Sequence, residues 1–190
     1  MAGCRGLVSL ALLCLWLCHN SLAKNDLPCQ PSKWNNAFDT FQKRHVPSGA
    51  PHSMDQNVWE DYIRKHGCNR PTQSFLDPSD LERVKAVCSS QGGKRHKENL
   101  CISSQPFTFF TVRSDIGTCG IRNVRKETKH LILACELLDN QCLPVHFEGN
   151  TADLKPDNNA RGCQAAAAGL KASWLWLLLS SALLLLMCSQ

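Results

Sequence analysis

Residues 129–148 read KHLILACELLDNQCLPVHFE. This stretch holds two β-rich runs, 129–138 and 143–148, separated by Asp139-Asn140, a pair suited to a tight turn. Runs joined in this way predict an antiparallel hairpin. Side chains alternate across a strand, so His146 and Glu148 share one face of the second run while Val145 and Phe147 share the other. A third β-rich run covers 107–112.

Upstream the period changes. Trp34, Phe38, Phe41 and His45 recur at spacings of four, three and four, which places them on one stripe of a helix that Pro47-Ser48-Gly49 ends. Ser53 followed by Gln56 reads as a capping box. Val58, Trp59, Tyr62 and Ile63 then give a second helix an apolar face until Gly67 stops it. Ser79 with Glu82 repeats the box before Leu81, Val84, Val87 and Cys88, a third helix. After Gly92-Gly93 the pattern turns to strand. Three helices followed by strands predict an α+β domain.

The chain has 190 residues, 43% of them hydrophobic, which is too apolar for a disordered tail and too short for a multidomain enzyme. Both ends read as processing signals. Arg5, an apolar run from Leu7 to Cys18 and a small residue at Ala23 read as a signal peptide over 1–23. Four alanines at 165–168, a short spacer and an apolar tail read as a glycolipid (GPI) anchor signal over 166–190, with a transmembrane tail as the alternative. The domain is expected over 24–149. A polar stretch at 150–165, containing Pro156-Asp157-Asn158-Asn159, reads as a stalk.

Of the 12 cysteines, Cys4, Cys14 and Cys18 leave with the leader and Cys188 with the tail. The remaining eight, in an exported chain, imply a disulfide framework. Zinc is the other reading of such cysteines, but export and the lack of Cys-x-x-Cys spacing speak against it. Arg5 and Lys171 also leave, taking 21 basic residues to 19 against 16 acidic ones, a net charge of +3. That is mildly basic, well short of a nucleic-acid packager. Lys94-Arg95-His96-Lys97 and the set Arg122, Arg125, Lys126 and Lys129 are basic clusters that read either as solvated loops or as a surface tracking phosphates.

His45 and His146 are the candidate catalytic pair, since imidazoles can take and give protons near neutral pH. Sequence spacing does not bring them together. Phe41-Gln42-Lys43-Arg44-His45, Cys68-Asn69-Arg70-Pro71-Thr72-Gln73-Ser74-Phe75, Val84-Lys85-Ala86-Val87-Cys88 and Leu133-Ala134-Cys135-Glu136 leading to Pro144-Val145-His146-Phe147 resemble, in order, the pancreatic ribonuclease (RNase A) family. Lys97-Glu98-Asn99-Leu100 is similar to its angiogenin-like branch.

The resemblance spans roughly 34–149 and implies three helices packed on a curved antiparallel sheet, stapled by disulfides. It also implies metal-independent, cofactor-free cleavage of RNA after pyrimidines through a 2′,3′-cyclic phosphate. His45 would be the general base, His146 the general acid, and Ser74 and Phe147 would line the pyrimidine pocket, with Glu148 beside them. The implied partners are RNA or another polyanion, the membrane through the anchor, and a cell-surface receptor, for a monomer on the outer face of the cell membrane.

Departures from the family pattern imply weaker turnover. Arg70 takes the slot of a catalytic lysine after an inserted Asn69, and a planar guanidinium is not equivalent to an ammonium at a tight site. Gln73 replaces an asparagine, and Arg44 stands where a glutamine contacts phosphate. The alternative function is therefore a catalytically weak or inactive module that binds RNA, polyanions or a receptor. The resemblance also implies bridges Cys68–Cys119 and Cys88–Cys135, and the joint loss of a third near Asn57 and Val112. Cys29, Cys101, Cys142 and Cys163 allow three pairings. The family's amino-terminal helix lies near its last hairpin, which favours Cys29 with Cys142.

Overall fold

The computed structural model describes residues 25–164. The leader at 1–23 and the anchor signal at 166–190 lie outside the described residues, among which no helix is long and apolar enough to cross a membrane. From Leu27 the described chain builds one unit.

Helix α1, Ala37–His45, buries Phe41 and His45 and carries Lys43, Arg44 and His45 in its last turn, where cations suit the helix dipole. Trp34 is not on its stripe as expected. It precedes the cap residue Asn36 and is 64% exposed, with the Lys33 ammonium 5.3 Å from its ring centroid. Helix α2, Gln56–His66, buries Trp59, Tyr62 and Ile63, leaves Val58 exposed, and ends at Gly67, whose φ of +104° suits glycine. Its cap is Asp55, which accepts the Asn57 N–H. The expected Ser53 box sits two residues outside, where the Ser53 hydroxyl accepts from the Asp55 N–H.

Strand β2, Thr72–Leu76, separates the second and third helices, so the helices do not all precede the strands. Five residues are too few to show a period, and tertiary pairing decides their state. A 3-10 turn, Pro78–Asp80, then enters helix α3, Leu81–Ala86. Ser79 does not cap α3, because its hydroxyl is donated to Asp77 at 2.6 Å.

The remaining strands are β1 (Gln30–Pro31), β3 (Gly93–Arg95), β4 (Leu100–Ser103), β5 (Phe107–Ser114), β6 (Ile121–Lys129), β7 (Ile132–Leu138) and β8 (Gln141–Phe147). The run 129–138 thus joins the end of β6 to β7. Strands β2, β5 and β6 make one antiparallel sheet. In the other, β7 pairs antiparallel with β8 on one edge and β4 on the opposite edge, β3 lies outside β4, and β1 adds two residues parallel to β7. The expected hairpin is β7–β8, its turn made by Asp139 at φ +46° and Asn140 at φ +64°. The molecule is an α+β domain.

Strand β5 divides the core by its alternation. Phe107 and Phe109 enter a cluster with Phe41, Val84, Leu131 and Leu133, while Phe110 and Val112 enter one around Trp59 and Phe75. Among the described residues the disulfides are Cys68–Cys119, Cys88–Cys135, Cys29–Cys142 and Cys101–Cys163. The sulfurs of Cys101, Cys135 and Cys163 lie within 4.8 Å of one another, but each is in a disulfide and offers no thiolate to zinc. Val112 is buried beside Trp59 and Asn57 is exposed. No thiol is left at either end of the missing bridge.

The segment at 150–164 is not a free stalk. Asn150 is buried; its amide donates to the carbonyls of His130 and Leu154, both at 2.9 Å, and its Oδ1 accepts the Leu154 N–H at 2.7 Å. Further on, Arg95 N–H donates to the Arg161 carbonyl at 2.8 Å and Cys163 is locked to Cys101 in the core. Gly162 lies so close to Ser90 that a Cβ there would come within 2.7 Å of its Cα. One buried amide, one glycine and one bridge fasten a polar segment whose composition alone reads as linker.

Candidate active site

The sheet of β2, β5 and β6 supplies the floor of a cleft of about 460 Å³. Register explains which residues reach it. Ser74 pairs with Thr111 and Thr111 with Arg125, while Thr72 pairs with Arg113 and Arg113 with Asn123. On β5 the face that buries Phe107 and Phe109 runs on into Thr111 and Arg113, so one face of one strand passes from core to polar floor. Along β6 the alternate residues Asn123, Arg125, Glu127 and Lys129 all line the cleft.

The cleft brings together His45, Arg70, Ser74, His146, Phe147 and Glu148. Arg44 and Gln73 are not in its lining. Gln73 alternates away from Thr72 and Ser74, and its amide donates to the Arg44 carbonyl at 2.7 Å, bracing β2 against the end of α1. Burial, and after it the charge of Arg70, holds the Arg44 guanidinium pKa below its usual value.

His45 is buried at the last turn of α1, its ring 5.3 Å from Phe41 and stacked 5.2 Å from Phe147, centroid to centroid. Its Nδ1 lies 2.9 Å from the Ser74 carbonyl, which can only accept, so Nδ1 carries the proton of that bond. The neutral ring therefore keeps Nε2 as a proton acceptor. Burial, followed by repulsion from Arg70, His146 and Arg44, pushes the pKa down to about 4 against the help of the Ser74 bond.

A stability consequence follows from that shift. Unfolding returns His45 to about 6.5, so between these values the unfolded chain binds a proton that the folded one refuses. Stability contributed by the neutral ring is present above pH 6.5 and lost as the pH falls toward 4, approaching roughly 3 kcal/mol. Urea denaturation at pH 7 and pH 4.5 should show this component in the intact protein and lack it in His45→Asn.

His146 lies on β8 beside a bulge. Ala134 pairs with His146 and Cys135 with Pro144, so Val145 faces no partner and the simple alternation expected for this strand is broken there. Bulges of this kind re-aim neighbouring side chains. His146 is exposed, and its Nε2 is 3.2 Å from Glu148 Oε2 on the same face.

Thr72, Phe109, Thr111, Arg113, Asn123, Glu127, Gly149, Asn150 and Thr151 also line the cleft, and no motif in the sequence marks them. The β6 cations do not act as one cluster. Arg125 and Lys129 line the cleft, whereas Arg122 pairs with Asp115 and Lys126 stands 5.9 Å over the Phe110 ring. Arg70, Arg113, Arg125 and Lys129 against Glu127 and Glu148 give the cleft a positive balance suited to a polyanion. Lys94, Arg95, His96 and Lys97 lie outside it.

No family model matches the chain. The sequence is similar to angiogenin of Trachypithecus francoisi, 26% identical over 127 residues, covering 60% of this chain and 78% of that protein. A similar solved structure is green turtle egg white ribonuclease, at 22% identity and a TM-score of 0.49, covering 60% of this chain and 97% of that one.

Proposed function

Kinship with the pancreatic ribonuclease family, carried by the relationship to angiogenin, is the premise from which we propose that the protein is an endoribonuclease. It cleaves RNA after pyrimidines through a 2′,3′-cyclic phosphate, without a metal. His45 Nε2 takes the proton of the ribose 2′-hydroxyl as that oxygen attacks phosphorus. The bond from phosphorus to the 5′-oxygen breaks, and His146 gives that oxygen its proton. Arg70 balances the charge growing on the non-bridging oxygens, and Ser74 and Phe147 hold the pyrimidine. Glu148 holds one nitrogen of His146 and so orients the ring.

The observation that carries this reading is the bond from His45 Nδ1 to the Ser74 carbonyl, which dedicates Nε2 to accepting a proton in a cleft shared with His146 and Arg70. Cleavage of uridylyl-adenosine in the presence of a chelator tests it. Activity no greater than that of a His45→Ala, His146→Ala double variant would sink the enzymatic reading. Since the guanidinium is the weak point, Arg70→Lys is expected to raise kcat about tenfold, as a point charge follows the developing charge more closely.

Two observations favour a second reading, a binding module for RNA, another polyanion or a receptor. Arg70 occupies the lysine slot, and a base with a pKa near 4 is weak at neutral pH. Binding of oligouridylate with no turnover, unchanged in Arg70→Lys, would select it.

The four disulfides among the described residues fit an oxidising compartment, and the reading extends to a glycolipid tether on the outer cell surface. Release of the protein from cells by a phosphatidylinositol-specific phospholipase is the expected result. Retention would indicate a transmembrane tail.

A further inference from the structure

Four side chains on the cleft floor form a chain of hydrogen bonds whose direction is fixed from one end. Lys129 Nζ lies 2.9 Å from Glu127 Oε1, and Glu127 Oε2 accepts the Thr111 hydroxyl at 2.6 Å. The Thr111 oxygen is 3.3 Å from Ser74 Oγ. Glu127 is two residues beyond Arg125, the cross-strand partner of Thr111, so it reaches Thr111 on the diagonal.

A hydroxyl has one proton to give. Thr111 gives its proton to a carboxylate. Burial pushes the Glu127 pKa up, but the bonds from Thr111 and Lys129, with Arg125 nearby, hold it below the usual value, so the acceptor is charged at neutral pH. The bond between Ser74 and Thr111 must then run from Ser74, whose only proton is spent. What Ser74 Oγ offers a ligand is lone pairs.

From this geometry we infer that Glu127, acting through Thr111, makes the base pocket prefer uracil over cytosine. The inference rests on the proposed function, in which Ser74 meets the pyrimidine ring. Uracil N3 carries a hydrogen and donates; cytosine N3 has a lone pair and accepts. A Ser74 oxygen polarised as an acceptor matches the first and opposes the second. Glu127 is a positioning residue here, since it sets the direction of a hydroxyl two bonds away.

The test is the ratio of kcat/KM for uridylyl-adenosine over cytidylyl-adenosine, with affinities for 3′-UMP and 3′-CMP measured by NMR titration on the same proteins. The intact protein should favour the uridine ligand by about tenfold in both measurements. Glu127→Ala and Thr111→Val free the Ser74 rotor and should bring the ratio to about twofold or less. A merely structural role would change both substrates alike. A cytidine preference in the intact protein, or a ratio that survives both substitutions, overturns the inference. Binding of the two nucleotides without turnover leaves the selectivity measurable and defeats only the catalytic reading. Failure to bind either nucleotide overturns both.

Discussion

His45→Ala is expected to lower kcat/KM for uridylyl-adenosine by about a thousandfold, within the range that one positioned acid or base contributes. The ring is buried between Phe41 and Phe147, and its Nδ1 is committed to the Ser74 carbonyl. Because the pKa is pushed down to about 4, the base stays deprotonated through mild acid, and the acidic limb of the kcat/KM profile should fall near pH 4 rather than 6.5. Loss of an imidazole also leaves a cavity, so His45→Asn, which can keep a donor on Ser74, provides the control. Equal loss in both variants, assayed well below their melting temperatures, identifies chemistry; recovery in His45→Asn would mean that the ring acts as packing only.

The second large effect concerns Cys101 and Cys163. Their bridge spans 62 residues with Cα atoms 5.7 Å apart, and both side chains are buried in the core with Leu133 and Cys135. Closing a loop of that length restricts the unfolded chain by about 4 kcal/mol in the entropy model. The double change Cys101→Ala, Cys163→Ala should therefore lower the unfolding free energy by about that amount in chemical denaturation. It should also expose 151–164 to proteolysis, since the far end of the segment is then held by backbone hydrogen bonding to Arg161 and no covalent link. A loss under about 1 kcal/mol would contradict the fastened segment and restore the stalk expected from composition.

The two histidines and the β7–β8 hairpin were legible because their signals are local: Phe41 and His45 share a helical stripe, and Asp139-Asn140 accepts the left-handed backbone that a tight hairpin needs. The fold class followed from the change of period after the third helix. Strand β6 hid the rest of the site, because Arg122, Asn123, Arg125, Lys126, Glu127 and Thr128 are polar on both faces and alternation cannot be read from polarity. Only pairing with β5 sorts Arg125, Glu127 and Lys129 into the cleft. The fastened segment was illegible for a related reason. Its anchors are one asparagine, one glycine and one cysteine among exposed residues, and none of them alters composition.

In the proposed mechanism His45 and His146 transfer a phosphoryl group within the RNA chain, and the intermediate of that transfer can be observed directly. Polyuridylate incubated with the intact protein and a chelator, followed by phosphorus NMR, should show a 2′,3′-cyclic phosphate that accumulates before the 3′-monophosphate. The double variant His45→Ala, His146→Ala should show neither. Absence of the cyclic phosphate with the intact protein, or its appearance at the same rate with the double variant, would contradict the account.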